Sequence, residues 1–245
     1  ELPPALAGSA AVLKVIDATN NRLAQLPAFI STLVVLQRLV LAGNMLISLP
    51  PGVCASLVAL KVLCLDDNHL AALPDDLGQL KRLERLSVSG NRLRELPPSI
   101  GGLEALLALV VSRNMLEALP DELGACGHLE EIDAQGNSLA TVPVALGQLK
   151  RLKTLQLDNN RVCAVPSEVL TGCVALQTLS LHGCPIKPDA LQETPGFAEF
   201  DERRKSKYNK ASGGGDFAHV IAGGALLGNR GLDEGVDREV SPPRR

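Results

Sequence analysis

The stretch Leu60-Lys61-Val62-Leu63-Cys64-Leu65-Asp66-Asp67-Asn68-His69-Leu70-Ala71-Ala72-Leu73-Pro74 is followed by Leu83-Glu84-Arg85-Leu86-Ser87-Val88-Ser89-Gly90-Asn91-Arg92-Leu93-Arg94-Glu95-Leu96-Pro97, which carries the same framework of apolar, Asn and Pro positions. Apolar residues stand eight, five and three positions before each asparagine and two positions after it. A proline stands six positions after it. Working outward in both directions, the asparagine recurs at Asn21, Asn44, Asn68, Asn91, Asn114, Asn137 and Asn160, at spacings of 23 or 24 residues. An eighth copy, Leu176, Leu179, Leu181 and Ile186, carries Cys184 in the asparagine slot. Self-similarity at such a period marks stacked units, none of which can bury its apolar face alone.

The inner alternation of each unit is a short strand with one face buried. The asparagine slot lies inside the coil, where an amide can satisfy backbone groups that would otherwise be buried without partners. The prolines at 27, 50, 74, 97, 120, 143 and 166 fix φ and lack an N–H, so they send the chain out of the strand layer. In the return segment Leu77 and Leu80 lie three apart, as a helical or 3₁₀ turn on the convex side requires. Two units are 24 residues long, and each gains its residue in the back segment, near Cys54 and Cys173. The expected fold is an α/β solenoid, a horseshoe of about eight 23–24-residue repeats. Short parallel strands line the concave face and helical or 3₁₀ turns the convex one.

Composition agrees with stacked leucine layers. The chain has 245 residues, no Trp, one Tyr and four Phe. A net charge of −3 excludes a generally basic nucleic-acid binder. No run approaches eighteen uninterrupted apolar residues, so no membrane-spanning helix is expected. Three segments are expected: a solenoid over 1–190, a capping helix over 191–210 and a flexible tail over 211–245. Within the helix, Phe197 and Phe200 share a face. The tail is marked by Gly213-Gly214-Gly215 and the Ser-Pro-Pro-Arg-Arg end. Glu1-Leu2-Pro3-Pro4 fits the register of Leu49-Pro50-Pro51, so the first residues read as the second half of a repeat whose strand is missing. A degenerate half-repeat that acts as its own cap is the alternative.

The repeat L-x-x-L-x-L-x-x-N/C-x-L with L-x-x-L-P-x-x-L/I-G-x-L resembles the intracellular Ras-group leucine-rich repeat proteins, whose animal members include Ras-binding scaffolds. The segment Pro195 to Lys205, with Gly231-Leu232-Asp233-Glu234-Gly235-Val236-Asp237, is similar to a plant-type leucine-rich repeat protein with a ubiquitin-like domain before its repeats. That domain is absent from this sequence. The resemblance implies intracellular signalling, with a small GTPase or a ubiquitin-pathway component as partner.

No catalytic constellation stands out, and no enzyme activity is expected. The six cysteines lack C-x-x-C spacing, and most sit at core or ladder positions, where Cys packs as a small apolar residue. His69, His128, His182 and His219 are scattered, so neither metal nor cofactor is expected. With no Asn-x-Ser/Thr sequon, a reducing, cytoplasmic setting is favoured. The basic cluster from Arg203 to Lys210 reads as the solvated face of the capping helix, or else as a nuclear-import or anionic-lipid contact. The concave face is the candidate site. Its rows place Arg38, Val40, Val62, Cys64, Arg85, Ser87, Val110, Arg113, Asp133, Gln156 and Asp158 toward a protein partner, with a Val40–Val62–Cys64 apolar patch giving way to Glu131, Asp133 and Asp158. The expected molecule is a monomeric, non-catalytic interaction scaffold. The alternative is a targeting module for an enzyme, a ligase or kinase, lying upstream of residue 1.

Overall fold

The computed structural model describes residues 2–211, with side chains through residue 206. Eight three-residue strands appear: β1 (Val15–Asp17), β2 (Arg38–Val40), β3 (Val62–Cys64), β4 (Arg85–Ser87), β5 (Ala108–Val110), β6 (Glu131–Asp133), β7 (Thr154–Gln156) and β8 (Thr178–Ser180). They pair in chain order into one sheet, and every pairing is parallel. Each strand is reached only after a full coil around the back, so the chain always re-enters from the same side, and parallel pairing follows. The middle residues, from Ile16 and Leu39 to Leu179, form one register row and are all buried.

Inside the coil the asparagines form a ladder. Asn91 accepts from the Leu70 N–H of the preceding coil at 3.0 Å. Its amide donates to the Leu65 carbonyl of that coil at 2.9 Å and to Val88 of its own at 3.0 Å. Asn44, Asn68, Asn114, Asn137 and Asn160 repeat this pattern. Cys184 keeps half of it, with its thiol donating to the Leu157 carbonyl at 3.2 Å. Asn21 is different. It is exposed and bonds only its own turn, at Ala18 and Thr19, because no described coil precedes it.

The residue before each ladder position adopts left-handed backbone. The series runs Asn20, Gly43, Asp67, Gly90, Arg113, Gly136, Asn159, Gly183, an alternation of side chain and glycine. At Gly90 a Cβ would collide with the Asp67 carboxylate, which lies over it from the preceding coil.

The back segments explain the two longer repeats. Those with 23-residue spacing turn as 3₁₀ helices, such as Leu77–Gln79 and Asp121–Ala125. The two 24-residue repeats carry α-helices instead, α1 (Val53–Ser56) and α2 (Ser167–Gly172). Accordingly, Leu57 N–H bonds Val53 four residues back, whereas Leu80 N–H bonds Leu77 three back. The wider α turn takes up the extra residue without shifting a strand.

At the C-terminal end stand α3 (Pro188–Gln192) and α4 (Phe197–Ala211). Phe200 is fully buried against the last coil, its ring 6.1 Å from that of Phe197. The basic cluster is not simply a solvated face. Arg203 turns inward and donates to the Leu176 and Leu170 carbonyls at 3.2 and 2.9 Å, covering acceptors that the ended coil leaves open. Arg204 is buried and pairs with Asp201 at 2.6 Å, and Lys205 reaches the same carboxylate. Partial burial pushes the Asp201 carboxyl upward, but these hydrogen bonds and cations outweigh it and hold the group below its ordinary value. Lys207 and Lys210 lie outside the described side chains. The tail expected over 211–245 lies outside the described residues from 212 onward.

Replacing Asn91 with Leu should cost about 1–3 kcal/mol, because buried N–H and carbonyl groups lose their partners. Asn21→Leu, at the exposed end, should cost far less. Urea unfolding of the two variants checks the contrast. Phe200→Ala should lower stability by about 3–5 kcal/mol if α4 unfolds together with the coils. Calorimetry that shows an unchanged main transition would mean that α4 is energetically separate.

Candidate partner-binding face

Neighbouring strands lie about 4.8 Å apart, so residues in register form close-set rows across the concave side. One row runs Val15, Arg38, Val62, Arg85, Ala108, Glu131, Thr154, Thr178. The next runs Asp17, Val40, Cys64, Ser87, Val110, Asp133, Gln156, Ser180. The sheet thus brings Arg38, Val62 and Arg85 side by side, with Val40, Cys64 and Ser87 beneath them in the second row. Arg38 and Arg85 are exposed, and Val62, Cys64 and Val110 are half-buried.

Two of these residues differ from expectation. Val40 is 8% exposed and Ser87 4%, so neither offers much surface. A row of side chains set at strand spacing on an inward curve shields its own members. The apolar patch is therefore narrower than the sequence suggests and centres on Val62.

The acids divide into two kinds. Asp66 is consumed by the fold: it accepts from the hydroxyl of Ser87 and the backbone N–H of Ser89, both at 2.7 Å, and from the Cys64 thiol. Asp158 is held the same way by the Ser180 hydroxyl and the His182 N–H. It is a coil-to-coil tie as much as a surface charge, which corrects its reading as part of an orienting acidic rim. Asp133 accepts only from the Gln135 N–H of its own turn, at 3.2 Å, and keeps its remaining acceptor capacity. Among the described residues, Arg38, Arg85 and Glu131 have no ion-pair partner within 4.0 Å. Arg113 does: it reaches across Gly90 to Asp67 at 3.1 Å, two coils away, which takes it out of the row. The signal for the consumed acids is an Asp followed 21 or 22 residues later by Ser, as in Asp66/Ser87 and Asp158/Ser180.

Other chemistry is sparse. Among the described residues no group of three His, Cys, Asp or Glu side chains is placed to hold a metal ion. No helix of the described residues is long and apolar enough to cross a membrane. All six cysteines are free thiols. Burial, with the adjoining Asp66 carboxylate, pushes the Cys64 thiol up to about 11, and burial pushes Cys126 to about 11 and Cys54 to about 12.

A family model described as a leucine-rich repeat region matches residues 54–180, more than half of the chain. The chain belongs to the leucine-rich repeat family. Over 69 residues it is 43% identical to the plant intracellular Ras-group-related LRR protein 7 of Oryza sativa, a match spanning 28% of this chain and 23% of that protein. Among solved structures, an LRR protein of Leptospira interrogans is 29% identical, with a TM-score of 0.59 over 82% of this chain and 53% of its own. The plant peptide hormone receptor RGFR1, in complex with RGF2, is 31% identical, with a TM-score of 0.64 over 70% of this chain and 28% of its own. The chain spans about half or less of each of these proteins. As a leucine-rich repeat unit, it is a protein-interaction module.

Brief alkylation of the native protein near pH 7 should modify Cys163, the exposed cysteine, far ahead of the other five. Thiolate is the nucleophile, and the raised thiols stay protonated. Peptide mass spectrometry with and without denaturant reads the difference.

Proposed function

We propose that this chain is a non-catalytic adaptor that binds a protein partner across its concave sheet. The observation that carries the reading is the order of groups along the face. Arg38 and Arg85 stand without ion pairs on either side of half-buried Val62, and two coils beyond Arg85 come Glu131 and Asp133. A partner with an apolar group between two acidic ones, followed by a basic surface, is complementary to this order. The resemblance to Ras-group repeats supports an intracellular signalling role, with a small GTPase or a ubiquitin-pathway component as the partner class. The RGFR1–RGF2 complex supports a binding role for the fold. In this reading residues 1–190 form the binding solenoid, α4 is its C-terminal cap, and the molecule acts as a cytoplasmic monomer.

Val62→Glu should abolish partner binding, since it removes the apolar centre and sets a carboxylate between Arg38 and Arg85, neutralising the charges that would meet the partner. Asp133→Lys should chiefly slow association and alter its salt dependence. Neither touches the buried leucines, so circular dichroism should stay native. Affinity capture from plant cell extract with wild type and both variants tests the reading. Identical captured sets from all three would overturn it.

A further inference from the structure

We propose that the flank of the first four coils, on the side where the chain leaves the ladder, is a second docking surface, and that it takes an acidic protein segment with bulky apolar anchors. The residue after each ladder position donates its N–H to the preceding coil: Met45 to Leu23, His69 to Leu46, Arg92 to Leu70, and Met115 to Leu93, at 2.9–3.0 Å. Adjacent coils are therefore held at hydrogen-bonding distance here as well, about 4.8 Å apart. The buried residues Leu23, Leu46, Leu70 and Leu93 point inward, so the residues on either side of each point out. This gives two outward rows, Arg22, Met45, His69, Arg92 and Ala24, Ile47, Ala71, Arg94.

Met45 is 48% exposed and Ile47 58%, with exposed Ala24 and Ala71 on either side. Arginines bound this apolar strip at both ends. Arg22, Arg92 and Arg94 are all exposed, and none of their guanidinium groups has an ion-pair or hydrogen-bond partner among the described residues. No acid stands in either row until Glu117, in the fifth coil. The opposite flank differs. There the charges satisfy one another from coil to coil, through Lys61–Glu84, Lys81–Glu104 and Lys153–Glu130. Those pairs neutralise part of that flank, whereas the exit flank presents like charge around exposed Met and Ile. Charge complementarity selects an acidic partner, and the apolar centre selects one with anchors to bury.

The surface is separate from the concave face, so its test does not depend on the proposed function. Fluorescence anisotropy with a labelled synthetic peptide, two leucines flanked on each side by glutamates, measures the interaction. Wild type should bind it. Ile47→Glu should weaken binding by roughly tenfold or more. The pair Arg92→Ala and Arg94→Ala should weaken it and flatten its salt dependence. Val62→Glu should leave it unchanged. If Ile47→Glu fails to fold by circular dichroism, Met45→Ser with Ile47→Ser replaces it. The proposal is overturned if wild type does not bind, if a peptide with lysines in place of the glutamates binds equally, or if the flank variants bind like wild type. Loss of binding in Val62→Glu would also overturn it. So would self-association of the wild type that Ile47→Glu abolishes, which would place a second copy of the chain there.

Discussion

A carboxamide buried between two coils is what the rest of the molecule depends on. A solenoid of leucine layers has ample apolar surface to bury, but each turn after a strand leaves N–H and carbonyl groups inside the stack. Each of those groups costs about 1–3 kcal/mol if left without a partner. One asparagine serves its own turn and the coil before it, so its hydrogen bonds are also the joints of the stack. Leucine layers alone would slide along one another; the amide fixes which carbonyl meets which N–H, and hence the strand register. Where the series ends, the chain changes its means. Cys184 supplies a thiol in the last slot, and Arg203 supplies a guanidinium to the carbonyls beyond it.

Much of this was legible from spacing alone. The positions of the three-residue strands follow from Leu63 and Leu65 standing before Asn68, and the concave rows follow from the strands. The α turns of the two longer repeats sit where the extra residues near Cys54 and Cys173 place them. What spacing could not give was how far each row residue stays free. Val40 and Cys64 stand side by side in one row, yet one is buried and the other half-buried, because exposure depends on the neighbours' side chains and on curvature. Asp66, Asp133 and Asp158 look alike as letters. A carboxylate two positions before the ladder slot, with a serine in the following coil, is tied into the stack; Asp133, four positions before its slot, keeps acceptor capacity. Arg203 of the basic cluster departs from a solvated face for a related reason: a helix packed against the end of a solenoid meets bare carbonyls, which draw a cation inward.

Charge is spread unevenly around the coil. The entry flank is laced by lysine–glutamate pairs between successive repeats. Exposed pairs of this kind contribute about 0–1 kcal/mol each, so their main effect is to offset charge locally on that side. The concave face and the exit flank retain arginines without partners. In a chain with a net charge of −3, such local concentrations of positive charge shape encounters more than the overall balance does.

The left-handed turn carries a further consequence. Side-chain-bearing residues and glycines alternate there, and the side chains of Asn20, Asp67 and Asn159 occupy the space above the glycine that follows. Over Gly136 a Cβ would meet Arg113 only at ordinary contact distance, since that side chain reaches the other way. Inserting or deleting one coil among the others would set two side chains, or two glycines, on adjacent turns. Adding or removing coils two at a time preserves the alternation. Two side chains would clash and two glycines would leave the space between turns unfilled, so the segment whose gain or loss preserves this packing is a pair of coils, twice the period that the leucines display.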